Sequence, residues 1–195
     1  MIDEILAYNR AFVTNKGYKP YTTSKYPDRK LAIVTCMDTR LIELLPAALG
    51  IKNGDAKIIK NAGGVTTHPY GSVVRSLLVA ILELGVEEIM VIGHTDCGVQ
   101  GMDAEEMLEK LISRGIPKEH IDIVRRSGID LNTWLGGFSS SEESVSDSTF
   151  SPFCTCFISF CISSNFLSVL VNISSIHSEL SASNNNSSVS CSNFD

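Results

Sequence analysis

The stretch Leu31–Leu41, LAIVTCMDTRL, decides the reading of this chain. Leu31 to Thr35 is an apolar and β-branched run with the length and composition of a buried strand. It leads straight into Cys36, Asp38 and Arg40, a soft metal ligand, an acid and a guanidinium at every second position. A strand that only served a core would have no packing reason to end this way. A second stretch poses the same question: VEEIMVIGH (86–94) is another apolar run, ending in His94, with Cys97 three residues on.

The pattern around these stretches is that of an α/β protein. DAKIIKNAGG (55–64) is a third apolar run, ending in Gly63-Gly64. A helix is expected after it, with Thr67 as cap, Pro69 in the first turn and Gly85 beyond its end. Its apolar positions Val73, Val74, Leu77, Leu78, Ile81 and Leu84 follow helical spacing. Residues 103–114 read as an acidic amphipathic helix closed by Gly115, and Pro117 opens a shorter one carrying Ile121 and Val124. MIDEILAYNRAF (1–12) reads as an amphipathic helix. Strands alternating with helices argue for a mainly parallel central sheet flanked by helices. Such sheets build their sites at the carboxyl ends of strands, where Asp38, Gly63-Gly64 and His94 all fall.

Composition divides the chain near residue 138. Its 195 residues are 44% hydrophobic, enough for one core, and carry a net charge of −6. No Lys/Arg stripe suggests a nucleic-acid partner. The N-terminus lacks the basic start and apolar centre of a secretory signal, so a cytoplasmic location is expected. Residues 1–138 hold all 16 Lys and Arg and 17 of the 22 acids. Residues 139–195 hold 20 serines, the run Asn184-Asn185-Asn186, and Cys154, Cys156, Cys161 and Cys191. The first segment reads as a folded domain and the second as an atypical Ser/Cys/Phe/Asn-rich tail. A disulfide framework is not expected in a cytosolic chain of this size.

Cys36, His94 and Cys97 form a plausible Cys2His zinc set. Thiolate and imidazole suit zinc, and three protein ligands leave a tetrahedral position open. H-x-x-C is a local chelate, and Cys36 must come from a neighbouring strand. The plain alternative makes the cysteines small buried hydrophobes and His94 a hydrogen-bonded turn residue. Asp38 and Arg40 likewise read either as a helix cap with a surface ion pair, or as a dyad beside the metal. Strand alternation would point both of them the same way as Cys36. In the dyad, Arg40 orients Asp38, which accepts from the metal's solvent ligand or takes its place. Rising pH is expected to favour the open arrangement.

CMDTRL, NAGG and GHTDCG together resemble the β-class carbonic anhydrases over about residues 1–148. The resemblance implies a four- to five-stranded, mainly parallel sheet in an obligate dimer that often assembles further. It implies zinc on Cys36, His94 and Cys97, with Asp38 and Arg40 as catalytic residues. The reaction implied is the reversible hydration of carbon dioxide to bicarbonate and a proton. Hydrolysis of a related linear substrate such as carbon disulfide is a close variant. A non-catalytic zinc-binding relative, or an inactive product of the aberrant C-terminus, is the alternative. Gly63 and Gly64 either shape the pocket or only make a tight turn. His68 is either a proton shuttle or structural, and His120 and His177 have no partner pattern.

The tail departs from the family pattern, which continues with a charged helix and a final strand. A reading-frame artefact, a disordered tail and a membrane anchor compete as explanations. The charge-free interval between Asp147 and Glu179 is long enough to span a bilayer, but basic flanks are missing and Ser, Asn and Thr interrupt it. Without the final strand, a sheet edge is expected to lie uncovered.

Overall fold

The computed structural model describes residues 1–66, 71–140 and 142–145. In chain order they form α1 (Ile2–Thr14), β1 (Leu31–Cys36), α2 (Leu44–Leu49), β2 (Ala56–Asn61), α3 (Ser72–Leu84), β3 (Glu88–Ile92), α4 (Ala104–Ser113), α5 (Lys118–Arg126) and α6 (Leu131–Leu135). The expected Thr67 cap, His68 and Pro69 lie outside the described residues, as does 146–195 with its four cysteines and charge-free interval. No helix among the described residues is long and apolar enough to cross a membrane.

The strand that ends in Cys36 is the central one. β1 pairs in parallel with β2, from Leu31–Ala56 to Cys36–Asn61, and with β3, from Leu31–Glu88 to Thr35–Ile92. The sheet order among the described residues is β2-β1-β3. Strands buried on both faces need continuous apolar runs, and Ala32 through Cys36 are all buried. Ala32 and Val34 pack with Val73, Leu77 and Ala80 of α3, while Ile33 packs with Leu45 of α2. The chain therefore leaves β1 through α2 toward β2, then crosses back through α3 to β3 on the other side. Right-handed crossovers in opposite directions put their helices on opposite faces. Full burial of Ile33, Leu45, Leu77, Ile89 and Ile92 contributes about 1.5–3 kcal/mol for each side chain.

The buried helical faces are those expected, but α3 starts later than its sequence suggested: Gly71, not Thr67, is its N-cap, and Ser72 its first residue. Val73, Val74 and Leu77 are buried, with Leu78, Ile81 and Leu84 partly so, and Gly85 ends α3 in the left-handed region at φ 72°. Asp103 caps α4 by accepting from the Glu106 amide at 2.9 Å. Leu108, Ile121 and Leu131 join α4, α5 and α6 in a separate small cluster. Val145 packs against the α3 side of the sheet. α1 buries none of its residues and exposes Ile2, Ile5, Leu6, Tyr8 and Val13.

The Gly63-Gly64 turn after β2 lies against the end of β1. Gly64 has φ 69°, and a Cβ there would sit 2.9 Å from the backbone nitrogen of Cys36. Asn61 staples this turn, donating from its side chain to the Val65 carbonyl at 2.7 Å and accepting from the Val65 amide at 3.0 Å. Gly64→Ala is expected to cost about 2–4 kcal/mol, from left-handed strain plus a backbone collision. Gly50→Ala meets open space at φ 60° and is expected to cost only about 1 kcal/mol. Urea unfolding of the two variants measures the contrast, and equal losses would contradict the close approach.

Candidate metal centre

In the order β2-β1-β3, the chain reverses its direction of winding between β1 and β3, and clefts in open α/β sheets form at such switch points. β1 ends at Cys36 there, and the segment after β3 brings His94 and Cys97. One hydrogen bond holds the two strand ends level: the hydroxyl of Thr35, fully buried, donates to the Ile92 carbonyl at 3.0 Å. The next residue along β1 is Cys36, and two residues beyond Ile92 comes His94.

All three side chains are buried, and their ligand atoms lie within 4.8 Å of one another. Among the described residues, no other cluster of His, Cys, Asp and Glu meets this condition. The two sulfurs are 3.7 Å apart. Tetrahedral zinc holding two thiolates at about 2.3 Å places them roughly 3.8 Å apart, so the donor set fits that ion in both chemistry and spacing. The Nδ1–H of His94 donates to the Thr95 carbonyl at 2.9 Å. This bond puts the proton on Nδ1 and turns a lone pair outward from Nε2, as a ligating imidazole requires. Burial pushes the Cys97 thiol up, and the Cys36 sulfur beside it adds to the effect. A divalent cation binds thiolate, and is what would draw the Cys97 proton off.

Asp38 and Arg40 do pair, but the strand does not bring them together as alternation suggested. β1 stops at Cys36, and Asp38 begins a short 3-10 turn, Thr39–Leu41. Its Oδ1 accepts from the Arg40 amide at 2.8 Å. The Arg40 side chain then folds back, with Nε on Oδ1 at 3.0 Å and Nη2 on Oδ2 at 2.8 Å. Cap and ion pair are thus the same device that orients the carboxylate. Hydrogen bonds from the Arg40 side chain hold the Asp38 carboxyl well below the usual range, against the opposing effect of burial. Asp38 Oδ2 lies 4.0 Å from His94 Nε2, beside the three-residue group rather than within it.

Two features escaped the sequence. Asp96, between His94 and Cys97 in the H-x-x-C turn, reaches the far side of Arg40 with Oδ2 at 2.9 Å from Nη1. Val99 and Phe138 pack into the cluster that holds both sulfurs. Phe138 is brought there when its carbonyl accepts from the Gly101 amide at 2.9 Å, and its ring faces Gly63. A short polar residue inside a tight chelate was the available signal for Asp96; for Phe138 there was none.

Fold and site define an α/β protein with a buried Cys2His group, capable of holding a metal, at the switch point of its sheet. The family model for carbonic anhydrase matches residues 31–132. Bacillus subtilis YvdA, whose name as a carbonic anhydrase is itself provisional, is 55% identical over 147 residues, covering 75% of each chain. Isoform I of the Trichomonas vaginalis β-carbonic anhydrase superposes with a TM-score of 0.73 at 30% identity, covering 88% of this chain and 92% of that one. A carbon disulfide hydrolase from Saccharolobus solfataricus is 38% identical over 96 residues, 49% of this chain and 45% of that protein. The chain belongs to the β-carbonic anhydrase family.

Because the folded pKa of Asp38 is depressed, its pairing stabilises the fold above the unfolded value near about 3.9 and is lost as pH falls below it. The stability gap between the parent and Asp38→Asn, both metal-free, is therefore expected to be constant above about pH 5 and to narrow below about pH 4. Urea titrations across that range measure it; a gap that widens on acidification would contradict the pairing.

Proposed function

We propose that the chain catalyses the reversible hydration of carbon dioxide to bicarbonate and a proton, with zinc held by Cys36, His94 and Cys97. The observation that carries the reading is the meeting of these three ligand atoms beside an Asp38–Arg40 pair at 2.8 Å. When bound, zinc supplies a Lewis acid and a water acidified enough to act as nucleophile near neutral pH. The protein's own part is orientation and exclusion. Asp38 stays ionised under Arg40's hydrogen bonds, so it offers lone pairs only and selects a partner that donates a proton. Arg40 keeps that carboxylate from turning. Leu41, Ile92, Val99 and Phe138, packed with the two cysteines, make a wall suited to a small uncharged substrate. This chemistry lies within residues 1–138, and the tail 139–195 is assigned no part in it.

Carbon disulfide hydrolysis is the second reading, prompted by the Saccharolobus relative. Both substrates are linear and apolar, and both would meet the same wall. Carbon dioxide is favoured because the 55% identity to YvdA extends over 147 residues, against 38% over 96 for the hydrolase. The two buried free thiols suit a reducing compartment such as the cytoplasm.

A second copy of the chain is the proposed cover for the exposed apolar residues of α1. Sedimentation is expected to give a dimer or larger, with Leu6→Glu shifting the chain toward monomer. A parent that sediments as monomer would remove that assignment.

Two substitutions test the chemistry. Cys36→Ala is expected to abolish stoichiometric zinc by metal analysis. Asp38→Ala is expected to retain zinc while losing roughly 100-fold in stopped-flow carbon dioxide hydration. A parent with zinc and no turnover would point to a non-catalytic relative. A parental rate in Asp38→Ala would remove that residue from the mechanism.

A further inference from the structure

We infer that Asp96 is a positioning residue, which grips the Arg40 guanidinium opposite Asp38 and so locks the dyad to the turn that carries His94 and Cys97. The inference rests on the hydration reading for its kinetic consequence. Its geometry stands without it.

Arg40 has a planar fork of five N–H donors and can be held on two edges at once. One edge, Nε and Nη2, serves Asp38 at 3.0 and 2.8 Å. The remaining contacts go to one residue: Nη1 donates to Asp96 Oδ2 at 2.9 Å and Nη2 donates to the Asp96 backbone carbonyl at 2.7 Å. The first pair is local, since Asp38 and Arg40 are two residues apart and belong to one 3-10 turn. Alone, such a pair moves with its turn and carries no information about where the ligands are. The second pair spans 56 residues of chain and ends between the two ligands of the H-x-x-C segment. It is the pair that places Asp38 relative to His94.

The backbone of Asp96 supports this. Its φ is 53°, in the left-handed region that side chains other than glycine seldom adopt, although aspartate tolerates it better than most. Unfavourable backbone persists where its surroundings over-determine it, and functional sites are where such residues gather. In this conformation the carbonyl and the carboxylate of one residue both reach the same guanidinium.

Stability does not account for the contact. The Asp96 side chain is 88% exposed and that of Arg40 is 36% exposed, so solvent screens the ion pair and its worth to folding is small. What an exposed but geometrically complete clamp provides is direction. Without the carboxylate, Nη1 loses its anchor and the Asp96 carbonyl on Nη2 is a single pivot; Asp38 then gains a second orientation, and small misplacements of a catalytic group are costly in turnover.

Three variants of the full chain test this, each measured for zinc content, for kcat and KM of carbon dioxide hydration, and for the Arg40 side-chain N–H signals in ¹⁵N NMR of the metal-free protein. D96G removes the carboxylate and relieves the backbone, D96A removes it without relief, and D96N keeps an acceptor and tolerates the left-handed region. D96G and D96A are expected to lose about tenfold or more in kcat with KM within about twofold and zinc retained, and their resolved Arg40 Nη signals are expected to average together. D96N is expected to recover kcat to within about threefold of the parent, with Arg40 resolved. A parental kcat or unchanged Arg40 signals in D96G overturn the inference. So does loss of zinc with Arg40 unchanged, which would make Asp96 a support of the ligand turn only. If the parent itself turns over no carbon dioxide, the hydration reading fails, and the Arg40 signals still decide whether Asp96 holds the dyad.

Discussion

Everything at the centre depends on the register of β1 between its two neighbours. Cys36 is the last residue of the strand, and it meets His94 and Cys97 because Thr35 is level with Ile92. The buried Thr35 hydroxyl, satisfied on the Ile92 carbonyl, holds that alignment where the ladder stops. A slip of one residue would turn every side chain of β1 to the opposite face. It would move Ala32 and Val34 out of the α3 cluster at the same time as it moved the sulfur. Core and site therefore specify the same register, and neither can be altered without the other.

From that point the site grades outward from dry to wet. The two sulfurs lie in an apolar cluster with Leu41, Ile92, Val99 and Phe138, and this enclosure raises the Cys97 thiol. Asp38 stands at the margin with its side chain 16% exposed, and Arg40 beyond it at 36%. Asp96 is almost wholly in solvent. Each step has a physical use. Burial disfavours the charged form of the thiol, the hydrogen bonds of Arg40 keep the Asp38 carboxylate ionised, and the outermost acid meets a guanidinium without having to be desolvated itself.

The likeness to known proteins has the same geography. The family match, residues 31–132, takes in β1, β2 and β3, the Gly63-Gly64 turn and every proposed ligand. It stops short of the serine-rich segment whose composition first set it apart. α1 lies before the matched stretch and buries nothing, and its apolar residues are the plainest reason to expect a second copy. The parts of the chain that carry the proposed chemistry are thus the parts that carry the resemblance.

Much of this was legible in the residues. Cys36, Asp38, His94 and Cys97 stood out because soft ligands and an acid at the ends of apolar runs have no packing purpose. The helical spacing of Val73, Val74 and Leu77 foretold which face of α3 would be buried. Alternation failed at Asp38, since the strand ends two residues earlier and a capped 3-10 turn takes over; a local hydrogen bond to the Arg40 amide outweighed continuation of the ladder. That β1 lies beside β3 was implied by the ligand set, but its pairing with β2, the exact register, the approach of Phe138 to Gly63, and the hold of Asp96 on Arg40 were not legible. Sequence by itself determined what each segment would be and which side chains were out of place in it, because periodicity and ligand chemistry are local properties. The tertiary structure alone decided which segments meet, because that follows from strand order, crossover hand and the packing of distant side chains, none of which leaves a mark on neighbouring residues.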